Sequence, residues 1–169
     1  MYTLSETSLK MLKGVHPNLV NFMTELIKIS PWDFKITAGV RTAEEQNKLY
    51  QKGRTAPGAK VTNVDGYKLK SNHQIKFDGL GYAVDIGVLV KEKVKVSVME
   101  NGKKVEKVIE KDVYKGTWKD FHFYQDIYNT AKNAGLLEKY GIEWGGNCWR
   151  TFKDAPHWQI KGADRVAYK

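Results

Sequence analysis

Residues 94–109 impose the firmest constraint on what this chain can become. KVKVSV and KVEKVI alternate apolar with polar side chains on either side of Glu100-Asn101-Gly102-Lys103. A period of two belongs to strands, and Asn-Gly supplies the left-handed backbone pair that a tight two-residue turn requires. An antiparallel hairpin is therefore written into the middle of the chain. It carries no candidate catalytic group and one of its faces is polar, so it reads as an insertion at 94–109 within a larger domain.

Helical signals flank it. Residues 17–29, PNLVNFMTELIKI, place Leu19, Phe22, Met23, Leu26 and Ile27 on one face, with Pro17 in the first turn. Ser30-Pro31 stops that helix, because proline disfavours helical geometry in the residue before it. A short strand is expected from Asp33 to Thr37, then a turn at Gly39. Thr42-Ala43-Glu44-Glu45 is a capping-box pattern opening a second helix, which Gly53 is placed to end. Gln46 shares a face with Leu49 and Tyr50 there, an odd setting for an uncharged polar side chain. Residues 53–72 are loop-like, and GYAVDIGVLV from Gly81 to Val90 is strand-forming. Thr117 can cap a helix through about Ala134, with Tyr124, Ile127, Tyr128 and Ala131 inward and Gly135 as its stop. Two short strands around a glycine- and tryptophan-rich loop close the fold, and the tail from Lys161 reads as polar and peripheral. Helices and strands mix without a βαβ rhythm, so the class is α+β: a small antiparallel sheet with flanking helices.

The 169 residues suit one domain, 1–169, and 41% hydrophobic residues suffice for its core. Cys148 stands alone, which excludes an intrachain disulfide framework and fits a reducing cytosol. No basic-then-apolar export signal opens the chain, and no stretch approaches the roughly 20 apolar residues of a membrane span. The net charge of +9 favours anionic partners. Its lysines are scattered and are thickest over 91–115, where acidic residues interleave with them. That pattern is a solvated surface rather than a nucleic-acid-binding motif.

Chemistry concentrates elsewhere. Two of the four histidines sit in unusual settings: His73 after Ser71-Asn72, and His157 after Asp154-Ala155-Pro156. Between them Asp85 interrupts the apolar run Tyr82-Ala83-Val84-Asp85-Ile86. A buried carboxylate is costly unless a cation compensates it. A zinc ion would do so, and two histidines with one carboxylate are a usual ligand set for a catalytic zinc with one open position. Taken singly, each residue has a plainer explanation as a satisfied core histidine, a turn aspartate or a partner for a lysine.

Order and flanks alter that balance. Ser71-Asn72-His73, Gly81-Tyr82-Ala83-Val84-Asp85 and Asp154-Ala155-Pro156-His157 resemble the serine-x-histidine, glycine-x-alanine-x-aspartate and acid-x-x-histidine motifs of the zinc D-alanyl-D-alanine peptidase family. Gly14-Val15-His16-Pro17, Asp33-Phe34, Gly39-Val40-Arg41-Thr42, Glu45-Gln46 and Trp144-Gly145-Gly146 follow in the expected order. The nearest branch resembles the L-alanyl-D-glutamate peptidases, many of them bacteriophage endolysins. One departure stands out: seven residues, Gln74 to Leu80, separate His73 from Gly81, where the family has two. A surface loop can absorb them at little entropic cost. Asp78 is the competing carboxylate, but its Phe-Asp-Gly setting reads as a turn, so Asp85 is preferred.

The resemblance implies a hedgehog/D-Ala-D-Ala peptidase-like fold, zinc held by His73, Asp85 and His157, and Asp154 as the general base. Arg41 is the candidate for stabilising the oxyanion or binding a substrate carboxylate. Ser71 and Gln46 are candidates for substrate contacts, though Gln46 can equally orient backbone. Trp144, Trp149 and Trp158 can line a cleft or fill the core. His16 and His122 are set aside as exposed. The implied substrate is the peptide stem of peptidoglycan, cut at the L-alanyl-D-glutamate bond by a monomeric phage endolysin with no separate cell-wall-binding domain. Such an enzyme is made in the host cytoplasm and acts at the wall after release. A D-Ala-D-Ala carboxypeptidase or dipeptidase, and a non-catalytic zinc- or anionic-polymer-binding module, are the alternatives.

Overall fold

The computed structural model describes residues 1–147 and 153–169; Cys148 and Trp149 lie outside the described residues. Helix α1 (Glu6–Met11) is capped by Ser5, whose hydroxyl accepts from Ser8 N–H. Helix α2 (Pro17–Ile29) follows the apolar spacing, with Leu19, Phe22, Met23, Leu26 and Ile27 buried, and it ends at Ser30. Strand β1 (Asp33–Ala38) leads to α3 (Ala43–Gln51), where Thr42 and Glu45 form both halves of the capping box. Strands β2 (Ala83–Glu100) and β3 (Lys103–Lys115) come next. A 3-10 turn at Trp118–Asp120 then leads into α4 (Phe121–Asn133), followed by α5 (Leu136–Tyr140), β4 (Ile142–Trp144) and β5 (His157–Ile160).

The sheet is antiparallel, in the order β1-β2-β5-β4, with β3 also paired to β2. Alternation sorts its side chains. Phe34, Ile36, Val84, Ile86, Val88, Trp144 and Trp158 join α2 and α4 in one core. Asp85, His157 and Gln159 fall on the opposite face, because successive strand residues point to opposite sides. Trp144 and Trp158 are thereby core residues. Tyr124, Ile127 and Ala131 are buried on α4 as its spacing predicts.

Three differences from the sequence reading have physical causes. The hairpin is longer than 94–109: pairing runs from Val88↔Lys115 to Glu100↔Lys103, so its first strand is the outward continuation of the central strand. Asn101 (φ 50°) and Gly102 (φ 73°) form its turn. At the turn by Gly39 the demand for glycine comes from close approach, since a Cβ there would lie 1.9 Å from the Met11 carbonyl oxygen. The tail from Lys161 is not peripheral. Ala163 is buried, Tyr168 pairs with Lys76, and Phe77 N–H donates to the Ala167 carbonyl.

Candidate metal centre

His73, Asp85 and His157 converge, each offering one ligand atom, all within 4.8 Å of one another. The register does half of this, because Asp85 and His157 are cross-strand partners on β2 and β5. His73 arrives from the turn at 71–74, with Nε2 3.1 Å from Asp85 Oδ1 and 3.3 Å from His157 Nδ1. His157 Nδ1 is also 3.1 Å from Asp85 Oδ1.

The far side of each imidazole fixes which nitrogen faces inward. His73 Nδ1 lies 2.8 Å from the Gly39 carbonyl oxygen, an acceptor only, so Nδ1 carries the proton and Nε2 presents its lone pair. His157 Nε2 lies 2.9 Å from Gln159 Oε1, which leaves Nδ1 to point inward. Two imidazole lone pairs and a carboxylate oxygen, each backed by an outer hydrogen bond, form a donor set that fits a zinc ion.

Burial acts against charge on Asp85, yet the His73 and His157 rings outweigh it and hold the carboxyl well below the usual carboxylate range. Burial lowers the His73 pKa. For His157, burial works in the same direction, but the hydrogen bond and charge of Asp85 raise it overall. Asp154 lies in the turn before His157, whose N–H donates to the Asp154 carbonyl. Burial, then the charge of Asp85, pushes the Asp154 carboxyl up to about 6. Such a carboxylate can take up and release a proton near neutrality.

Arg41 donates from one guanidinium nitrogen to Asp85 Oδ2 (3.1 Å) and from the other to Gln46 Oε1 (2.8 Å). Gln46 is buried and also donates to the Val64 carbonyl (2.9 Å) and Thr62 Oγ1 (3.3 Å), so it ties Arg41 to the long loop. Ser71 shapes the turn that presents His73. Its hydroxyl accepts from His73 N–H (3.3 Å), and its own N–H donates to Gln74 Oε1 (2.8 Å). Arg41, Gln46, Ser71, His73, Asp85, Asp154 and His157 all border one cavity of about 770 Å³.

Asp78 accepts from Tyr82 O–H and Leu80 N–H in a turn, away from this cluster. His16 caps α2 and His122 contacts the Lys119 carbonyl, so neither joins it. Sequence reasoning missed Gln159, which meets His157 Nε2, and Asn72, Lys76 and Glu143, which are hydrogen-bonded to Gln159 directly or in turn. Gln159 carried a signal, since a strand places it on the same face as His157; the extension holding Lys76 carried none.

A model of the phage L-alanyl-D-glutamate peptidase family matches residues 1–117. The peptidoglycan L-alanyl-D-glutamate endopeptidase CwlK of Bacillus subtilis (strain 168) is 30% identical over 128 residues, covering 76% of this chain. The match spans 60% of that relative's length, so the chain corresponds to part of it. The crystal structure of the Serratia marcescens L-Ala D-Glu endopeptidase ChiX superposes with a TM-score of 0.58 at 25% identity, over 95% of this chain and 90% of that one.

Proposed function

The chain belongs to the phage L-alanyl-D-glutamate peptidase family, and from that premise we propose that it is a zinc-dependent endopeptidase of the peptidoglycan stem. The bond cut is the one between L-alanine and D-glutamate, and the biological role is that of a phage endolysin. The enzyme is made in the host cytoplasm and acts on the wall after release. The observation that carries this reading is the His73–Asp85–His157 cluster, with the raised Asp154 carboxyl beside it in an open cavity.

Bound zinc supplies a water of lowered pKa and polarises the scissile carbonyl. Asp154 accepts a proton from the attacking water and later delivers it to the departing glutamate amine. The water oxygen ends on the alanine carbonyl carbon as the C–N bond breaks. Arg41 orients Asp85 through its hydrogen bond to Oδ2. Its guanidinium at the cavity wall is suited to a substrate carboxylate or to the developing oxyanion. The +9 charge favours encounter with a wall whose stem peptides are anionic.

Digestion of purified peptidoglycan followed by mass analysis of the released ends tests this. New alanine carboxyl and glutamate amino termini, lost on chelation and restored by zinc, are expected. Release of free D-alanine would replace the endopeptidase with a carboxypeptidase.

A further inference from the structure

Lys76 lies in the seven-residue segment between His73 and Gly81 and is fully buried. A buried lysine must spend its N–H donors on something. Its Nζ donates to Asn72 Oδ1 at 2.8 Å and lies 3.4 Å from the centre of the Tyr168 ring, a cation–π contact supplied by the chain's end. That bond fixes the amide of Asn72, which turns its Nδ2 to Gln159 Oε1 (3.0 Å) and Asp164 Oδ1 (2.6 Å). Gln159 is fixed in turn, its Nε2 donating to Glu143 Oε1 at 2.6 Å. Its Oε1 therefore faces His157 Nε2 at 2.9 Å, where it can only accept. Each link has one permitted orientation, and the run ends by demanding a proton on His157 Nε2, which leaves Nδ1 as the nitrogen that faces the metal centre.

We propose that Lys76 is a positioning residue for His157: through Asn72 and Gln159 it sets the tautomer in which Nδ1 faces the metal centre. The C-terminal segment belongs to the same device through Tyr168 and Asp164. Burial brings the Lys76 pKa down to about 8, and the ammonium and the neutral amine both keep N–H groups for Asn72. The segment that lengthens the gap after His73 thus supplies an outer support for the other histidine. Such outer partners alter metal affinity by about 10- to 100-fold. The inference rests on the reading of His73, Asp85 and His157 as a metal centre.

The test is Lys76→Met in the full chain, read in two ways. In the metal-free protein, nitrogen NMR of labelled histidine reports whether His157 Nε2 carries a proton; the wild type is expected to keep that proton throughout and the variant to show a mixture of states at Nε2. In chelator competition with zinc, the variant is expected to bind about 10- to 100-fold more weakly. An unchanged tautomer and unchanged zinc affinity would overturn the proposal. A wild type that binds no zinc but loses its single tautomer on Lys76→Met would sink the metal reading and leave the Lys76 role standing. Should Lys76→Met fail to fold, Tyr168→Leu removes the ring over Lys76 and a hydroxyl 3.2 Å from Asn72 Oδ1. It is expected to shift both readings in the same direction, and no shift in either overturns the proposal.

Discussion

Asp85 and His157 stand opposite each other across the β2–β5 pair, with Oδ1 and Nδ1 3.1 Å apart. Strand register thus assembles most of the candidate metal centre, and a one-residue slip would turn one of the two to the core face. Asp85→Asn keeps size and register but removes the charge that two imidazoles and Arg41 surround. It is expected to weaken zinc binding by at least about 100-fold, beyond the range for outer partners. Chelator competition measures it, and affinity within threefold of wild type would remove Asp85 from the ligand set.

Asp154 offers a separation of binding from turnover. Asp154→Ala is expected to retain zinc while kcat falls by about 10²- to 10⁴-fold, the usual worth of a positioned proton-transfer group. His157→Ala is expected to lose both. Metal content measured beside peptidoglycan turnover distinguishes them, and near-normal turnover in Asp154→Ala excludes it as the base.

The same aspartate should cost stability in the metal-free protein. Its folded pKa of about 6 exceeds the ordinary 3.8, so the folded chain holds this proton more tightly than the unfolded one. The penalty is absent below about pH 4, grows as pH rises towards 6, and is complete above that. Asp154→Asn is therefore expected to stabilise the metal-free chain at pH 7 by about 3 kcal/mol, and to have little effect at pH 4. Thermal melts at the two pH values check this; equal shifts at both would show that ionisation is not the cause.

Much of this was legible from local rules. Helix α2, the Thr42 capping box, the Asn101-Gly102 turn and the His73/Asp85/His157 grouping all follow from spacing, capping chemistry or motif order. What escaped depends on tertiary approach. The two strand signals merge into the single strand β2 (Ala83–Glu100) because β1 and β5 pair with its inner part and β3 with its outer part. The tail is ordered by Lys76, whose burial no periodicity announces. Gln46 was visible as a misplaced polar residue, but its partners Thr62 and Val64 come from a loop without a pattern.

Gln46→Leu tests that last arrangement. The substitution fills the same space but deprives Arg41 of its 2.8 Å acceptor and releases the loop carbonyl of Val64. A hydrogen bond to a charged group is worth about 1.5–3 kcal/mol, so the melting temperature should fall by several degrees. Turnover should fall with it, since Arg41 keeps its bond to Asp85 but loses its second anchor, while zinc affinity stays near wild type. Chelator competition and turnover measured together check this, and a large loss of zinc affinity would instead place Gln46 among the supports of the ligands.

In the proposed mechanism the acid limb of the pH profile is set by the Asp154 carboxyl. Proton abstraction needs its ionised form, so kcat/KM should decline tenfold per pH unit on the acid side. Burial and the charge of Asp85 set the metal-free value near 6. A divalent cation in the neighbouring site opposes both influences, which moves the limb to about pH 6 or below when zinc is bound. Asp154→Ala should abolish the limb and leave a low, pH-insensitive residue of activity across pH 5–7. Were the limb to persist in that variant with its midpoint unmoved, the titrating group would have to be sought among the ligands themselves.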